Sequence, residues 1–507
     1  MNIINHQIKY SYDKIDISAD IDGFRLWYKI PPSYAVSSSG DPFLAASLLP
    51  AMIKGSDIRI EPNLKISPFL MRNINTIQEI HHTWNPKLKI ISVNADIHPA
   101  KILNDGCGSF FSGGVDSTYT FLKNINEITH IINIHGFDFQ LDKETRENLL
   151  FTTQDIKDLA QLAFKLVNRV DPVSKYLMDQ FSEGTRKLLT AYVNSGFIIP
   201  ERVDKNLSES FNNIITGDLI YDKNIFAGKK LRSQTKEMLM NNMAENRTLL
   251  NRLLIEDSYP KEILGKYSGE YDEVINRHKR FAEFFGKKLI AVETNFYSFG
   301  YRYNLSRNLT QGTALASIAL LLGFRTVYIP ASYSYSQLFP LGSHPLVDPL
   351  WSNEAVKIIH DGCESTRTQK IKKISENKYA VEHLQVCFDQ ALGNCGKCEK
   401  CIRTYVTLKL LNVPTIAFPI SPSSREIRNA KISGDIEEAF FKENVDLALK
   451  NSNIKLRKEL LSCLKRYERK KIYKDLDKIL FRGIISKLYR NLKKEKPSIY
   501  RVDTKYP

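Results

Sequence analysis

The sequence predicts an α/β protein in which helices flank a parallel sheet, and three observations predict it. Over residues 107–137 an apolar strand ends in a glycine turn, which opens into a helix and then a second apolar strand. That order is a βαβ unit, whose strands run parallel. From 271 to 360 helix and strand patterns alternate again. Between the two, residues 148 to about 265 are polar, rich in Asn, Lys, Leu and Glu, and helical in pattern, which reads as an insertion into the sheet domain.

Taken in order, residues 15–21 and 24–30 alternate apolar and polar in the manner of strands, and Pro31-Pro32 stops the second. Asp41-Pro42 then reads as a helix start, with Asp at the cap and Pro at the first helical position, ahead of apolar 43–53. These features make 1–104 an α+β unit of its own, without evident chemistry. Residues 108–111 form a buried strand end, 112–117 a glycine turn, 118–123 the start of a helix, and 128–134 a second strand. Residues 271–285 carry a helix pattern closed by Gly286. Strands follow at 289–294, 325–330 and 356–360, with a small-residue helix at 312–322 closed by Gly323. The expected organisation is 1–104 as the N-terminal unit, 105–147 with 266–415 as the sheet domain, 148–265 as the helical insertion, and 416–507 as a basic helical C-terminal region.

A chain of 507 residues exceeds what one hydrophobic core usually organises, and 43% hydrophobic with 25% charged residues is ordinary globular composition. The net charge of +16 is concentrated after residue 454, in runs such as Arg469-Lys470-Lys471 and Lys493-Lys494-Glu495-Lys496. Such a balance suits an acidic partner, such as RNA or an anionic surface, or simply a solvated basic face. Residues 480, 484, 488 and 492 are apolar at helical spacing within this tail, which fits either such a partner or packing on the body of the protein. The start of the chain lacks the build of a signal peptide. Its longest apolar stretch, 313–322, is too short to span a bilayer, so a cytoplasmic protein is expected. Seven cysteines, four clustered and three scattered, argue for a reducing compartment and a metal cluster and not for a disulfide framework.

The turn Ser112-Gly113-Gly114-Val115-Asp116-Ser117 carries the main chemical signal. Two glycines let the backbone approach a ligand, and consecutive N–H groups can converge on an anion. The helix that follows points its positive end at the same place. Ser112 and Ser117 add hydroxyls, and Asp116 is placed either to cap the helix or to hold Mg²⁺ against phosphates. The Walker pattern with its lysine is absent. A short serine–glycine loop suits recognition of pyrophosphate and attack at the α phosphorus of ATP, rather than transfer of the γ phosphate.

Cys387, Cys395, Cys398 and Cys401 form the second signal, with small or polar Gly393, Asn394 and Gly396 among them. Four thiolates this close can wrap one tetrahedral ion, zinc by default, with Lys397, Lys400 and Arg403 offsetting the charge. An iron–sulfur cluster or a redox-active pair for sulfur transfer stays open.

At the glycine turn the sequence resembles the PP-loop ATP pyrophosphatases, whose signature is Ser-Gly-Gly-x-Asp-Ser. The resemblance implies a Rossmann-like sheet of the adenine nucleotide alpha hydrolase kind, and adenylation of an acceptor with release of pyrophosphate. It spans about 105–140 and 270–410. The run Leu384-Gln385-Val386-Cys387, then Asn394-Cys395-Gly396-Lys397-Cys398-Glu399-Lys400-Cys401-Ile402-Arg403, narrows it to the 7-cyano-7-deazaguanine synthase-like branch, in which these cysteines bind zinc. That branch implies an ATP-dependent ligase. The acceptor would be a small molecule, a 7-deazaguanine acid, whose adenylated carboxylate is attacked by a nitrogen nucleophile. His135 and Gly136, at the end of the second strand, would meet the adenine, although His135 also reads as a satisfied core histidine.

Three parts of the chain have no counterpart in the compact synthases: the N-terminal unit, the insertion and the basic tail. The acceptor loop, Gly342-Ser343-His344-Pro345-Leu346-Val347-Asp348-Pro349-Leu350-Trp351, departs from the usual Tyr-Pro-Asp-Cys-Arg wording, which implies a divergent branch with a different acceptor. Within that loop His344 and Asp348 are the candidate acceptor-binding residues, and an ordinary structured loop is the plainer reading. Arg367 and Lys370 share a helix face if their segment is helical, and could stabilise charge at the α phosphate or stand as surface cations. With Asp116 and Ser117 they complete the candidate catalytic set.

Other readings stay open. One is an RNA-modifying enzyme that holds tRNA by the basic tail. Another is a relative from bacterial antiviral loci that acts on a protein partner, and a third is a nucleotide-sensing module of a defence complex without turnover. A homodimer is among the assemblies the sequence leaves open.

Overall fold

The computed structural model describes residues 1–137, 271–303, 305–387, 393–432 and 434–481. All belong to one of the two units into which the chain divides, Met1–Gln140 with Lys266–Pro507. The other, Leu141–Gly265, lies outside the described residues, and so do the helical insertion expected at 148–265 and the end of the basic tail beyond 481.

Strands β1 (Asn2–Tyr10), β2 (Ile15–Ile21) and β3 (Phe24–Ile30) form an antiparallel meander. The β2–β3 turn is Asp22-Gly23, both in the left-handed region (φ 47° and 76°), the geometry that matches the twist of a two-residue hairpin. Helix α1 (Asp41–Lys54) is buried from Asp41 to Met52. Its cap is Gly40 rather than Asp41. The Asp41 carboxylate instead accepts hydrogen bonds from Ser67 N and Asn353 Nδ2, both 2.8 Å, so tertiary partners have taken it from the capping role the sequence suggested. β4 (Ile58–Ile60), α2 (Pro68–Trp84) and β5 (Val93–Asn94) complete the N-terminal part.

The βαβ unit follows as β6 (Asn104–Phe110), α3 (Val115–Lys123) and β7 (His130–His135). After residue 271 come α4 (Tyr271–Phe284), β8 (Lys288–Thr294), α5 (Phe296–Arg302), α6 (Arg307–Leu322), β9 (Phe324–Pro330), β10 (Lys357–Asp361), α7 (Arg367–Ser375) and α8 (Lys378–Glu382). Four further helices close the described chain: α9 (Glu399–Leu410), α10 (Ser424–Arg428), α11 (Asp435–Lys450) and α12 (Ile454–Phe481). None of the described helices is long and apolar enough to cross a membrane.

All the strands join one ten-stranded sheet, ordered β10-β9-β6-β7-β8-β3-β2-β1-β4-β5. From β10 to β8 every pairing is parallel. Residues 1–104, set apart by the sequence reading, extend this sheet through an antiparallel β3–β8 pairing, Tyr28 opposite Thr294. Successive strand residues enter two different cores. Phe110, Ile132, Val327 and Ile358 pack with α1, α2 and α6, whereas Phe111, Ile131 and Tyr328 pack with α3, α4, α7 and α9. Helices therefore cover both faces, which is why these strands read as apolar runs instead of clean alternation. The result is an α/β fold of Rossmann-like type. A third core, within the C-terminal helices, shares Ile402, Val406 and Leu410 of α9.

The sheet order positions the site. β6 has β7 on one side and β9 on the other, so the chain reverses its winding between β6 and β9. In open α/β sheets, ligands bind at the carboxyl ends of the strands where this reversal occurs.

Candidate functional site

The turn 112–117 stands at that point, directly after β6. Gly113 has φ 72°, a conformation that strains any residue with a Cβ, and a Cβ there would meet His278 Nε2 at 3.1 Å and Gln385 Cβ at 3.3 Å. Gly114 is the N-cap of α3, so the N–H groups of Val115, Asp116 and Ser117 lie in the helix's first turn, where no intrahelical acceptor exists. Ser117 Oγ accepts from Ser112 N (3.2 Å) and donates to Gly114 O (3.2 Å), which closes the loop on itself.

The structure brings Asp116, Arg367 and Lys370 together. Asp116 Oδ2 lies 2.8 Å from Arg367 Nη1 and Asp116 Oδ1 lies 3.0 Å from Lys370 Nζ. Both cations come from α7, which follows β10 and starts at a capping box made by Thr366 and Gln369. Their spacing puts them on one face, and that face meets α3 from across the winding reversal. Neither is a surface cation: the side chains are 10% and 2% exposed. Lys370 Nζ also donates to Ala331 O (2.6 Å), and Arg367 Nη2 to Ser332 O (3.2 Å), just past β9. Burial pushes the Asp116 carboxyl up, but Arg367 and Lys370, with Arg403 beyond them, outweigh it and hold the group below the usual carboxylate range.

Residues the sequence reading passed over support this cluster. Glu443 of α11 accepts from Thr368 N (3.0 Å) at the start of α7 and from Gln337 Nε2 (2.7 Å). The guanidinium carbons of Arg367 and Arg403 lie 4.8 Å and 4.3 Å from the Phe440 ring centroid. Arg403, expected to balance the cysteine charge, pairs with Glu399 at 3.0 Å and adds its field to Asp116. No local pattern marks Glu443 or Phe440, because each acts across tertiary distance.

His135 and Gly136 close β7, the neighbour of β6. His135 is buried and stacked on Tyr271 at 3.6 Å, and burial lowers its pKa to about 4, so the ring is neutral at pH 7. Asp348 does not present an edge to an acceptor. It is fully buried and accepts from Ser343 Oγ and from His360 Nδ1, both 2.7 Å. His344 does line a cavity beside it, together with Gln311, Tyr333, Ser343 and His360. His360 was not singled out in the sequence, although its place at the carboxyl end of β10 was a signal.

The sulfur atoms of Cys387, Cys395, Cys398 and Cys401 all lie within 4.8 Å of one another. The Cys395–Cys401 and Cys387–Cys398 separations are 3.9 and 4.0 Å. Tetrahedral thiolates around one ion at zinc's usual bond length stand roughly 3.8 Å apart, so the four can hold a metal ion such as zinc. Lys397 N and Cys398 N donate to Cys395 Sγ at 3.4 and 3.2 Å. Asn394 ties the loop down through Val386 N, Leu384 O and Ala417 O. Gln385 N donates to Gly113 O (2.8 Å), which joins the cysteine loop to the glycine turn.

Among known proteins, no family model, no curated protein and no solved structure matches this chain.

Proposed function

We propose that the chain is an ATP-dependent ligase of the PP-loop kind, similar to the 7-cyano-7-deazaguanine synthases, that cleaves ATP between the α and β phosphates. The observation that carries this reading is the convergence of Arg367 and Lys370 on Asp116 at the N-terminus of α3, beside a glycine turn at the winding reversal. A positive helix end and two nearly buried cations form a strong anion site, and one carboxylate only partly neutralises it. The loop contains no lysine, so the cations flank the phosphates from α7 and not from beneath the γ phosphate, which suits pyrophosphate as the leaving group.

In this reading the first-turn N–H groups and Ser112 and Ser117 hold the departing diphosphate. Arg367 and Lys370 stabilise charge that builds at the α phosphate. Asp116 keeps both cations in place and would hold Mg²⁺, which supplies further neutralisation of the phosphates when bound. An acceptor carboxylate attacks the α phosphorus and pyrophosphate leaves. A nitrogen nucleophile then attacks the acyl carbon and expels AMP. The acceptor that the family likeness favours is 7-carboxy-7-deazaguanine. The four cysteines would hold zinc as a structural ion. Their tight spacing favours one ion over a four-iron cluster, whose thiolates sit on separate irons.

The test is product analysis by chromatography, with ATP and 7-carboxy-7-deazaguanine. Wild type is expected to yield AMP and pyrophosphate. Asp116→Asn and Ser117→Ala are expected to cut acceptor-dependent release by about a hundredfold or more while circular dichroism is unchanged. ADP with orthophosphate as products, or full activity in both variants, would sink the reading.

A further inference from the structure

We infer that the outward face of α12 around Ile472, Tyr473 and Leu476 docks on an anionic lipid surface, with the helix lying along the membrane and not crossing it. The inference stands apart from the ligase reading and uses a part of the chain that the reading leaves idle.

α12 changes character along its length. Its first half belongs to the C-terminal core: Leu456, Leu460, Cys463 and Leu464 are at most 5% exposed and pack with α9, α10 and α11. Tyr467 and Lys471 still reach Asp435 of α11, at 3.2 and 2.6 Å. Among the described residues, Lys471 is the last of α12 with such a tie. Ile472, Tyr473 and Leu476 follow, and they are 58%, 72% and 45% exposed.

Their direction on the helix matters as much as their exposure. At 3.6 residues per turn, the three stand about 120° to 160° round the axis from Leu460, nearly opposite the packed stripe. The spacing of the packed stripe runs on instead to Lys471, Lys474 and Lys478. The apolar face is therefore a second one, and packing on α9, α10 and α11 does not account for it.

The surrounding charge says what covers it. Between 469 and 482 the sequence carries Arg469, Lys470, Lys471, Lys474, Lys478 and Arg482 against Asp475 and Asp477. Arg469 and Lys470 are exposed beside the apolar face. A second copy of the chain would bring two basic faces together, which like charges oppose. RNA would use the cations, but its bases stack on aromatic rings and leave Ile472 and Leu476 without a role. A bilayer surface with anionic headgroups uses both kinds of residue. Aliphatic side chains enter the boundary between headgroups and acyl chains while the cations stay among the phosphates. Tyr473, with an apolar ring and a polar tip, suits that boundary itself. The sequence beyond the described residues keeps the same composition, with apolar 484, 488 and 492 among Lys487, Arg490 and Lys493. None of the described helices is long and apolar enough to cross a bilayer, so the fit is to its surface.

The experiment is co-sedimentation of the full chain with two kinds of vesicle, phosphatidylcholine alone and about two parts phosphatidylcholine to one of phosphatidylglycerol. Wild type is expected to bind the anionic vesicles about tenfold or more tightly than the neutral ones. The double variant Ile472→Asp, Leu476→Asp is expected to lose about tenfold or more of that binding. Its thermal unfolding should match wild type, since both positions are exposed. No binding of wild type to either vesicle, equal binding to both, or undiminished binding by the double variant overturns the inference. Binding of poly(U) RNA that the double variant loses would give the face to nucleic acid and overturn it too. So would a wild-type dimer in sedimentation velocity that the double variant dissolves, which would give the face to a second copy. Should the double variant fail to fold, Leu476→Gln alone is read by the same criteria, with an expected loss of about threefold.

Discussion

Asp348 shows how a buried acid can be worth keeping. Its side chain has no exposed surface, yet it holds Ser343 and His360 in place. Taking such a pair out of water is costly unless its hydrogen bonds are well made. The pair also links stability to pH. The folded-state pKa of His360 lies near 9 against an ordinary 6.5. The folded state therefore binds the proton more tightly than the unfolded one between those values. The stabilisation is fully present below pH 6.5 and is lost as pH rises through 9. Burial works against the charged ring, and the hydrogen bonds and charges of Asp348 and Cys363 outweigh it. Denaturant unfolding of wild type and His360→Gln should show a gap of up to about 3 kcal/mol near pH 6, shrinking steadily toward pH 10. A gap that stays constant over this range would place the stabilisation in packing and not in charge.

At the scale of elements, what the sequence made legible was local. The glycine turn, the i, i+3 spacing of Arg367 and Lys370, and the close run of cysteines each lie within one short segment; Arg367 and Lys370 do share a helix, whereas α3 starts at Val115, three residues earlier than the sequence reading had it, and takes Asp116 and Ser117 out of the turn. Asp41-Pro42 carried an equally local signal for a cap, and partners at Ser67 and Asn353, far away in sequence, redirected it. His360 and Asp348 could be joined only in three dimensions, because the first lies on β10 and the second starts the short helical turn before it. The join between the cysteine loop and the glycine turn was illegible for the same reason. Gln385 N holds Gly113 O, and Gln385 lies two residues before the first cysteine. On the proposed function, the cysteine loop should therefore act on nucleotide binding. Removing the ion with a chelator, or cutting the Asn394 anchors with Asn394→Ala, is expected to weaken α,β-methylene-ATP binding by about tenfold, since three buried hydrogen bonds hold that loop. Unchanged affinity in a metal-free protein that remains folded would separate the two elements.

At the scale of the whole molecule, the Asp116–Arg367–Lys370 cluster is braced by a helix that begins sixty residues after α7 ends. Through Glu443, α11 caps α7 at Thr368, and through Gln337 it also reaches the turn after β9. Both segments border the site, so Glu443 sets the position of α7 relative to β9, and with it the reach of Arg367 and Lys370 toward Asp116. If so, the effect of Glu443 on turnover should pass through those cations. Glu443→Ala is expected to slow pyrophosphate release by about tenfold, the cost of roughly one charge-assisted hydrogen bond. Lys370→Met, which keeps an apolar stem but no ammonium, is expected to slow it by about a hundredfold. In the double variant the two losses should not multiply: once Lys370 is gone, adding Glu443→Ala should cost only about two- to threefold more, because residues that act through one element are coupled. Fully multiplicative losses would mean that α11 supports the fold in general and has no particular hold on α7. The comparison needs only pyrophosphate release from four proteins at matched concentration, with thermal unfolding to show that each is folded at the assay temperature.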